Sequence, residues 1–153
     1  TRGLRGGRTG AERGLGRSQA ALKLVKEGLA ASPPIAARVE LRLVEAGARE
    51  ALGERDEAIR LLRQEIELIG ARGPKSARAR LRYYFAHLLA ESGDTADAEK
   101  WYAAAVRLDP DDETGAAEAL AELQGITIEF DDSDDSDEAS AGDDSDATPG
   151  ADQ

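Results

Sequence analysis

Between Gly16 and Gln124 apolar side chains return every three or four residues, and no stretch alternates as a half-buried strand would. Leu41, Val44, Ala48, Ala51 and Leu52 form one stripe. Ile59, Leu62, Ile66 and Ile69 form a second, and Leu81, Phe85, Leu88, Leu89 and Ser92 a third. Polar and helix-breaking residues punctuate the pattern. Ser32-Pro33-Pro34 offers an N-cap with proline in the first turn, and Gly53, Gly73-Pro74, Gly93 and Asp109-Pro110 each interrupt a helical run. The pattern predicts an all-α chain of six helices, at about 17–31, 35–52, 55–70, 75–92, 95–108 and 112–124.

Outside this region the pattern fails. Residues 1–13 are rich in Gly and Arg and predict disorder, or the remnant of a preceding helix. After Gly125 comes Ile-Thr-Ile-Glu-Phe (126–130), whose alternation predicts a short extended segment against the last helix. The remaining run is poor in apolar residues and dense in like charge. It cannot bury enough surface to offset its ordering entropy, so a disordered tail is expected. The organisation read from the chain is therefore a lead at 1–13, a helical domain at 14–124 and an acidic tail at 125–153.

Within the helical region a spacing recurs. Counting from Gly93, Ala98 lies at +5, Tyr102 at +9, Ala105 at +12 and Pro110 at +17. The same offsets from Gly16 give Ala21, Val25, Gly28 and Pro33. From Gly53 they give Ala58, Leu62, Glu65 and Gly70, so the middle copy keeps only its first half. The copies lie 37 and 40 residues apart, a period of stacked helical hairpins. Two helices joined by a tight turn approach closely only where small side chains sit at the crossing. Ala98 and Ala105 supply that room and Tyr102 fills the gap beside them; glycine frees the turn, and proline ends the second helix because it cannot donate the next backbone bond.

This pattern resembles the tetratricopeptide repeat, over roughly residues 14–112. Gly93, Ala98, Tyr102, Ala105 and Pro110 carry the likeness in the last copy, and Phe85, Ala86 and Leu89 lie where the family has its helix A signature. The stretch from Ala79 to Leu120 and its acidic end also look similar to uncharacterised tetratricopeptide-repeat proteins of actinobacteria. The resemblance implies a right-handed solenoid of antiparallel helix pairs, closed by a capping helix at 113–124. Ala117, Leu120, Ala121 and Leu123 would face the last repeat, with Glu118 and Glu122 outward. Two and a half repeats without an N-terminal cap predict marginal stability, since about three are normally needed. The resemblance also implies a concave groove lined by the first helix of each pair, which in this family holds peptides. Arg80, Tyr83, Tyr84, His87 and Glu91 would face it in the last repeat, and Glu40, Leu43, Gly47 and Glu50 in the middle one. The residues expected to pack repeat on repeat are Gly16, Ala21, Gly53, Ala58, Gly93, Ala98, Tyr102, Ala105 and Pro110.

Charge divides the chain sharply. Residues 1–108 hold all 20 basic side chains and 14 acidic ones, a net of +6, whereas residues 109–153 hold 17 acidic side chains and none that is basic. A mildly basic body thus carries an acidic end. Arg72, Lys75, Arg78, Arg80 and Arg82, with Arg2, Arg5, Arg8, Arg13 and Arg17, offer phosphate contacts, so the alternative to a protein or peptide is an RNA or nucleoprotein partner on the basic body, with the acidic tail competing for it. The plainer reading of this cluster, a solvated face balanced by nearby acids, is the preferred one.

The chemistry available is sparse. There is no cysteine, hence no disulfide or thiolate metal site. His87 is the single histidine, with no motif pairing it to a serine, and one histidine without thiols does not make a zinc site. No phosphate-binding loop, dinucleotide fingerprint or calcium loop is present. The expectation is a protein without enzymatic activity, cofactor or metal. The longest nearly apolar run, residues 83–90, is too short to span a bilayer, and residues 1–10 lack the apolar core of a signal peptide. A cytoplasmic, bacterial protein is expected, the latter from the excess of 16 Arg over 4 Lys. The chain lacks methionine even at position 1, which points to a fragment or a processed chain.

Overall fold

The computed structural model describes residues 10–131, with side chains described through residue 125. Among the described residues there are six helices and no strand: α1 (Gly10–Ala30), α2 (Ile35–Ala51), α3 (Arg55–Ile69), α4 (Lys75–Glu91), α5 (Thr95–Arg107) and α6 (Ala116–Asp131). Each helix packs on the next, and α2 also packs on α4. The expected helices are all present, and the ends of the chain differ most from expectation. α1 starts at Gly10, so residues 10–13 are helical, and Gly16 lies inside the helix instead of at a turn. α6 runs through Asp131, so residues 126–130 are helical and not extended. A lone extended segment leaves its N–H and C=O groups without a partner strand, whereas each residue added to an existing helix closes a hydrogen bond at once. Residues 1–9 and 132–153, where disorder is expected from composition, lie outside the described residues.

Two hairpin turns repeat each other bond for bond. Gly53 (φ +80) and Gly93 (φ +91) adopt the left-handed conformation that favours glycine, just past α2 and α4. At the first turn Gly53 N donates to Glu50 O (2.9 Å) and Glu54 N to Arg49 O (2.8 Å); at the second Gly93 N donates to Ala90 O (3.0 Å) and Asp94 N to Leu89 O (2.9 Å). This is the Schellman pairing, which satisfies the last carbonyls of a helix and turns the chain back in three residues. The next helix then opens with the same backbone bond, Ala58 N donating to Glu54 O and Ala98 N to Asp94 O, and at α5 the Asp94 side chain adds a cap by accepting from Asp97 N.

The other starts are made by proline. α2 and α4 are preceded by Pro34 and Pro74 in extended conformation, without a side-chain cap, so Ser32 is not the N-cap the sequence offered. Ser32 instead takes φ +52 in the loop. Gly73 (φ +82) is fixed by space as well as by φ: a Cβ there would come within 2.5 Å of Ile35 Cγ2.

The core is continuous across α2 to α5. Val39 and Ala46 of α2, Leu62 and Ile69 of α3, Leu81, Phe85, Ala86 and Leu88 of α4, and Ala98 and Tyr102 of α5 belong to one buried cluster. Phe85 is its largest fully buried side chain and meets Trp101 edge-on at 5.2 Å between ring centroids. The stripes expected on α3 and α4 are buried, apart from half-buried Ile59 and exposed Ser92, which caps α4. The stripe expected on α2 is found in part: Ala48 is buried, and Leu41 and Leu52 are half-buried. Val39 and Ala46 are buried and Ile35 and Leu43 pack beside them, whereas Val44 is 49% exposed and Ala51 is exposed. α2 meets three neighbours, so more than one of its faces is covered. Val44, Ala48 and Ala51 line an open trough of about 310 Å³ beside Gly14, Ser18 and Ala21 of α1. On α6, Ala116 is buried and Ala119, Leu120 and Leu123 pack on the core. Ala117 and Ala121 are exposed, because the helix starts only after Gly115 (φ +80) and its inner face follows the 116–119–120–123 spacing.

Candidate functional site

α2 and α4 carry their predicted groove residues at helical spacing, and the packing of α2 on α4 brings the two rows together. Arg80 of α4 pairs with Glu40 of α2. One turn on, Tyr84 lies across Gly47, where an added Cβ would make only an ordinary 3.6 Å contact with its oxygen. The Tyr84 hydroxyl donates to Glu50 Oε1 (3.3 Å). Burial, and then the Glu50 charge, push the Tyr84 pKa up, so the phenol stays a donor. Glu50 Oε2 in turn faces Arg55 Nε at 3.5 Å, and Arg55 Nη1 donates to the Glu91 carbonyl (3.1 Å). This chain of contacts ties α2, α3 and α4 together at one end of the face. His87 stacks obliquely with Tyr84 (5.9 Å between centroids) and lies 3.9 Å from Glu91 Oε1.

Between these rows and the loop from α5 to α6 is a cleft of about 270 Å³. It is lined by apolar surface of Leu43, Tyr83 and Tyr84, by Ser76 and Arg80 of α4, and by Asp109, Glu113 and Thr114 of the loop. Tyr83 is held by Tyr102 behind it, at 5.7 Å between centroids. The structure thus places four predicted residues, Leu43, Arg80, Tyr83 and Tyr84, in one cleft. Glu50 contacts Tyr84 beside the cleft, and His87 and Glu91 lie further along α4.

The loop wall has no counterpart among the predicted groove residues, because Asp109-Pro110 reads in the sequence only as a helix stop. α5 ends at Arg107, before the proline. Asp109 organises the loop: its Oδ1 accepts from Glu113 N (2.8 Å), and its Oδ2 accepts from Thr114 N (2.9 Å) and the Thr114 hydroxyl (2.5 Å). The Thr114 hydroxyl and amide, and then the Glu113 amide, hold the Asp109 carboxyl below the usual aspartate range. An Asp just before a turn proline, with Thr five residues on, is the available signal, since Asp side chains recruit nearby backbone N–H groups.

A second polar cluster is likewise absent from the predicted sites. Glu65 is 2% exposed, and its carboxylate accepts from Arg38 Nε (2.5 Å), Arg38 Nη2 (3.0 Å) and Arg42 Nε (3.1 Å). Arg42 also donates to Glu45 (2.7 Å). A buried carboxylate with a forked arginine partner is a structural unit joining α2 to α3.

The repeat-packing residues fall into two groups. Ala58, Ala98 and Ala105 are fully buried and Tyr102 nearly so, whereas Ala21 is half-buried and Pro110 exposed. On α1 the tight approach is made by Gly28, where a Cβ would come within 2.9 Å of Leu41 Cδ1. The arginines of the α4 cluster are engaged locally. Arg72 donates to the Leu68 and Ile69 carbonyls, Arg78 to the Gly73 carbonyl, Arg82 to the Arg78 carbonyl, and Arg80 pairs with Glu40.

These features define an all-α chain of successively packed helices with an amphipathic cleft on its α2–α4 face. No family model matches the chain, and no curated protein matches it. The fold is similar to the crystal structure of BtubC (BKLC) from P. vanneervenii, with a TM-score of 0.61 over 81% of this chain and 53% of that one. The chain therefore spans about half the length of that protein, and at 19% identity the likeness shows the fold alone. Among the described residues no helix is long and apolar enough to cross a membrane.

Proposed function

We propose that the chain is a non-enzymatic, cytoplasmic tetratricopeptide-like scaffold. Its helix pairs stack as a right-handed solenoid, and a protein segment or peptide binds across α2 and α4. The solenoid reading is supported by the two matching Schellman turns 40 residues apart and by the contact of α2 with α4, the two helices that precede those turns. The binding reading rests on one observation: the cleft in which Leu43, Tyr83 and Tyr84 offer apolar surface beside charged side chains. Tyrosine and arginine at the edge of an apolar depression suit protein recognition, because they add contact area at low entropic cost and satisfy a partner's polar groups.

The test is selection of peptides from a random library on the full chain, followed by affinity measurement against variants. Tyr83→Ala, whose side chain is half-buried, should keep the helical circular dichroism and weaken selected peptides about tenfold or more. Selected peptides that bind Tyr83→Ala and Leu43→Ala as well as the parent chain would sink the reading.

A further inference from the structure

Resting on that reading, we propose that the partner is a cationic segment: one aliphatic side chain seats on Leu43, Tyr83 and Tyr84, and flanking Lys or Arg side chains lie against the loop from α5 to α6. The size of the cleft sets the first half of the inference. At about 270 Å³ it falls below the roughly 300–1,000 Å³ of small-molecule pockets, so it suits one anchoring side chain of a longer partner.

Charge sets the second half. Arg80, the one cation lining the cleft among the described residues, is neutralised by Glu40, and Glu50 is matched by Arg55. The loop wall has no such balance. Asp109 and Glu113 line the cleft and Asp111 and Asp112 lie between them in the same loop, four carboxylates in five residues, none of which forms an ion pair among the described residues. Asp109 accepts hydrogen bonds only from neutral groups, which leave its charge uncompensated. The chain after α6 adds more of the same sign: residues 132–153 hold nine acidic side chains and none that is basic. An acidic partner would meet repulsion at this wall, and a basic one would be drawn to it at an enhanced rate.

The probe is a fluorescein-labelled, amidated peptide with a central Leu flanked by two Lys on each side. Two controls replace the Leu by Ser or the four Lys by Glu. The full chain should bind the Lys–Leu peptide saturably. Tyr83→Ala and the Leu-to-Ser control should each weaken it about tenfold. The combined variant Asp111→Asn, Asp112→Asn, Glu113→Gln should weaken it roughly fivefold, as expected for a few exposed charge pairs. Asn is well suited to position 112, where φ is +54, and Asp109 is kept because it holds the loop.

If the Glu peptide binds as tightly as the Lys peptide, and Tyr83→Ala weakens it, the cationic assignment is wrong while the groove reading stands. A Lys peptide held equally by the parent and by Tyr83→Ala, with or without its leucine, is bound by charge alone, and the inference fails. Should no peptide of either charge, the selected library peptides included, respond to Tyr83→Ala, the groove reading falls with it.

Discussion

In the α4–α5 hairpin the crossing is filled by methyl groups: Ala98 and Ala105, five and twelve residues past the turn glycine, are both fully buried. In the α2–α3 hairpin the first of these positions is again a buried alanine, Ala58, and the second is Glu65. The helices before the two turns carry the same basic pair forty residues apart, Arg38 and Arg42 on α2, Arg78 and Arg82 on α4. In the first hairpin this pair grips the Glu65 carboxylate. In the second the pair turns to backbone oxygens: Arg78 donates to the Gly73 carbonyl and Arg82 to the Arg78 carbonyl. Burial, and then the Arg78 charge, lower the Arg82 pKa. The same crossing is thus filled in two ways, by apolar contact around Ala105 in one hairpin and by a buried ion cluster around Glu65 in the other.

The largest expected effect separates the two alanine positions of α5. Ala98→Glu places a carboxylate where the matching position of the other hairpin is Ala58, with no arginine partner, and should destabilise the chain by about 3–5 kcal/mol. Ala105→Glu puts a carboxylate at the counterpart of Glu65, with Arg78 and Arg82 at the counterparts of Arg38 and Arg42. It should cost about 2 kcal/mol less than Ala98→Glu, because the desolvated charge regains paired donors. Urea unfolding followed by circular dichroism measures both. Equal losses would show that the hairpins do not share a frame.

The next effect tests the ion cluster from within. Arg38→Ala combined with Arg42→Ala strands the 2%-exposed Glu65 carboxylate and should cost about 3 kcal/mol. Glu65→Leu, which removes the charge and keeps the volume, should change stability by less than about 1 kcal/mol, since Arg38 and Arg42 are about a quarter exposed and can turn to water. If the leucine variant is the weaker of the two, the cluster contributes net stability and the apolar hairpin is the poorer solution.

The two hairpins also differ in how much of them is legible in the sequence. Gly53 and Gly93 announce their turns because a left-handed residue after a helix leaves few alternatives to glycine, and the buried stripes of α3 and α4 follow from period alone. Glu65 reads as a break in the repeat, since spacing cannot show that arginines 23 and 27 residues earlier reach it. The stripe on α2 holds only in part, with Ala48 buried but Val44 and Ala51 exposed, for a related reason. A helix with three neighbours buries several faces, and a single periodicity then picks one of them. The predicted row from Leu43 to Tyr84 is found together because both helices present it at helical spacing. The loop wall of the cleft leaves no periodic trace, because three hydrogen bonds to one aspartate make it; only Asp109 before Pro110, with Thr114 five residues on, hints at it.

The smallest expected effect concerns how the two hairpins end. α3 ends with the Arg72 guanidinium on the Leu68 and Ile69 carbonyls. α5 ends with the Asp109 carboxylate on the Glu113 and Thr114 amides and the Thr114 hydroxyl, and these bonds hold its folded pKa below the usual value of 3.8. The unfolded chain therefore takes up this proton at a higher pH than the folded one. The stabilisation is complete above about pH 4, and it is lost as the pH falls through the lowered folded value. Asp109→Asn keeps the shape and removes the titration, so the variant should be less stable than the parent at neutral pH, with the gap closing below about pH 4. Urea midpoints for both proteins from about pH 7 to about pH 2.5 measure that gap. A gap of constant size would mean that the loop holds its form through Thr114 and Gly115 without the charge, and the two exits would then respond to acid alike.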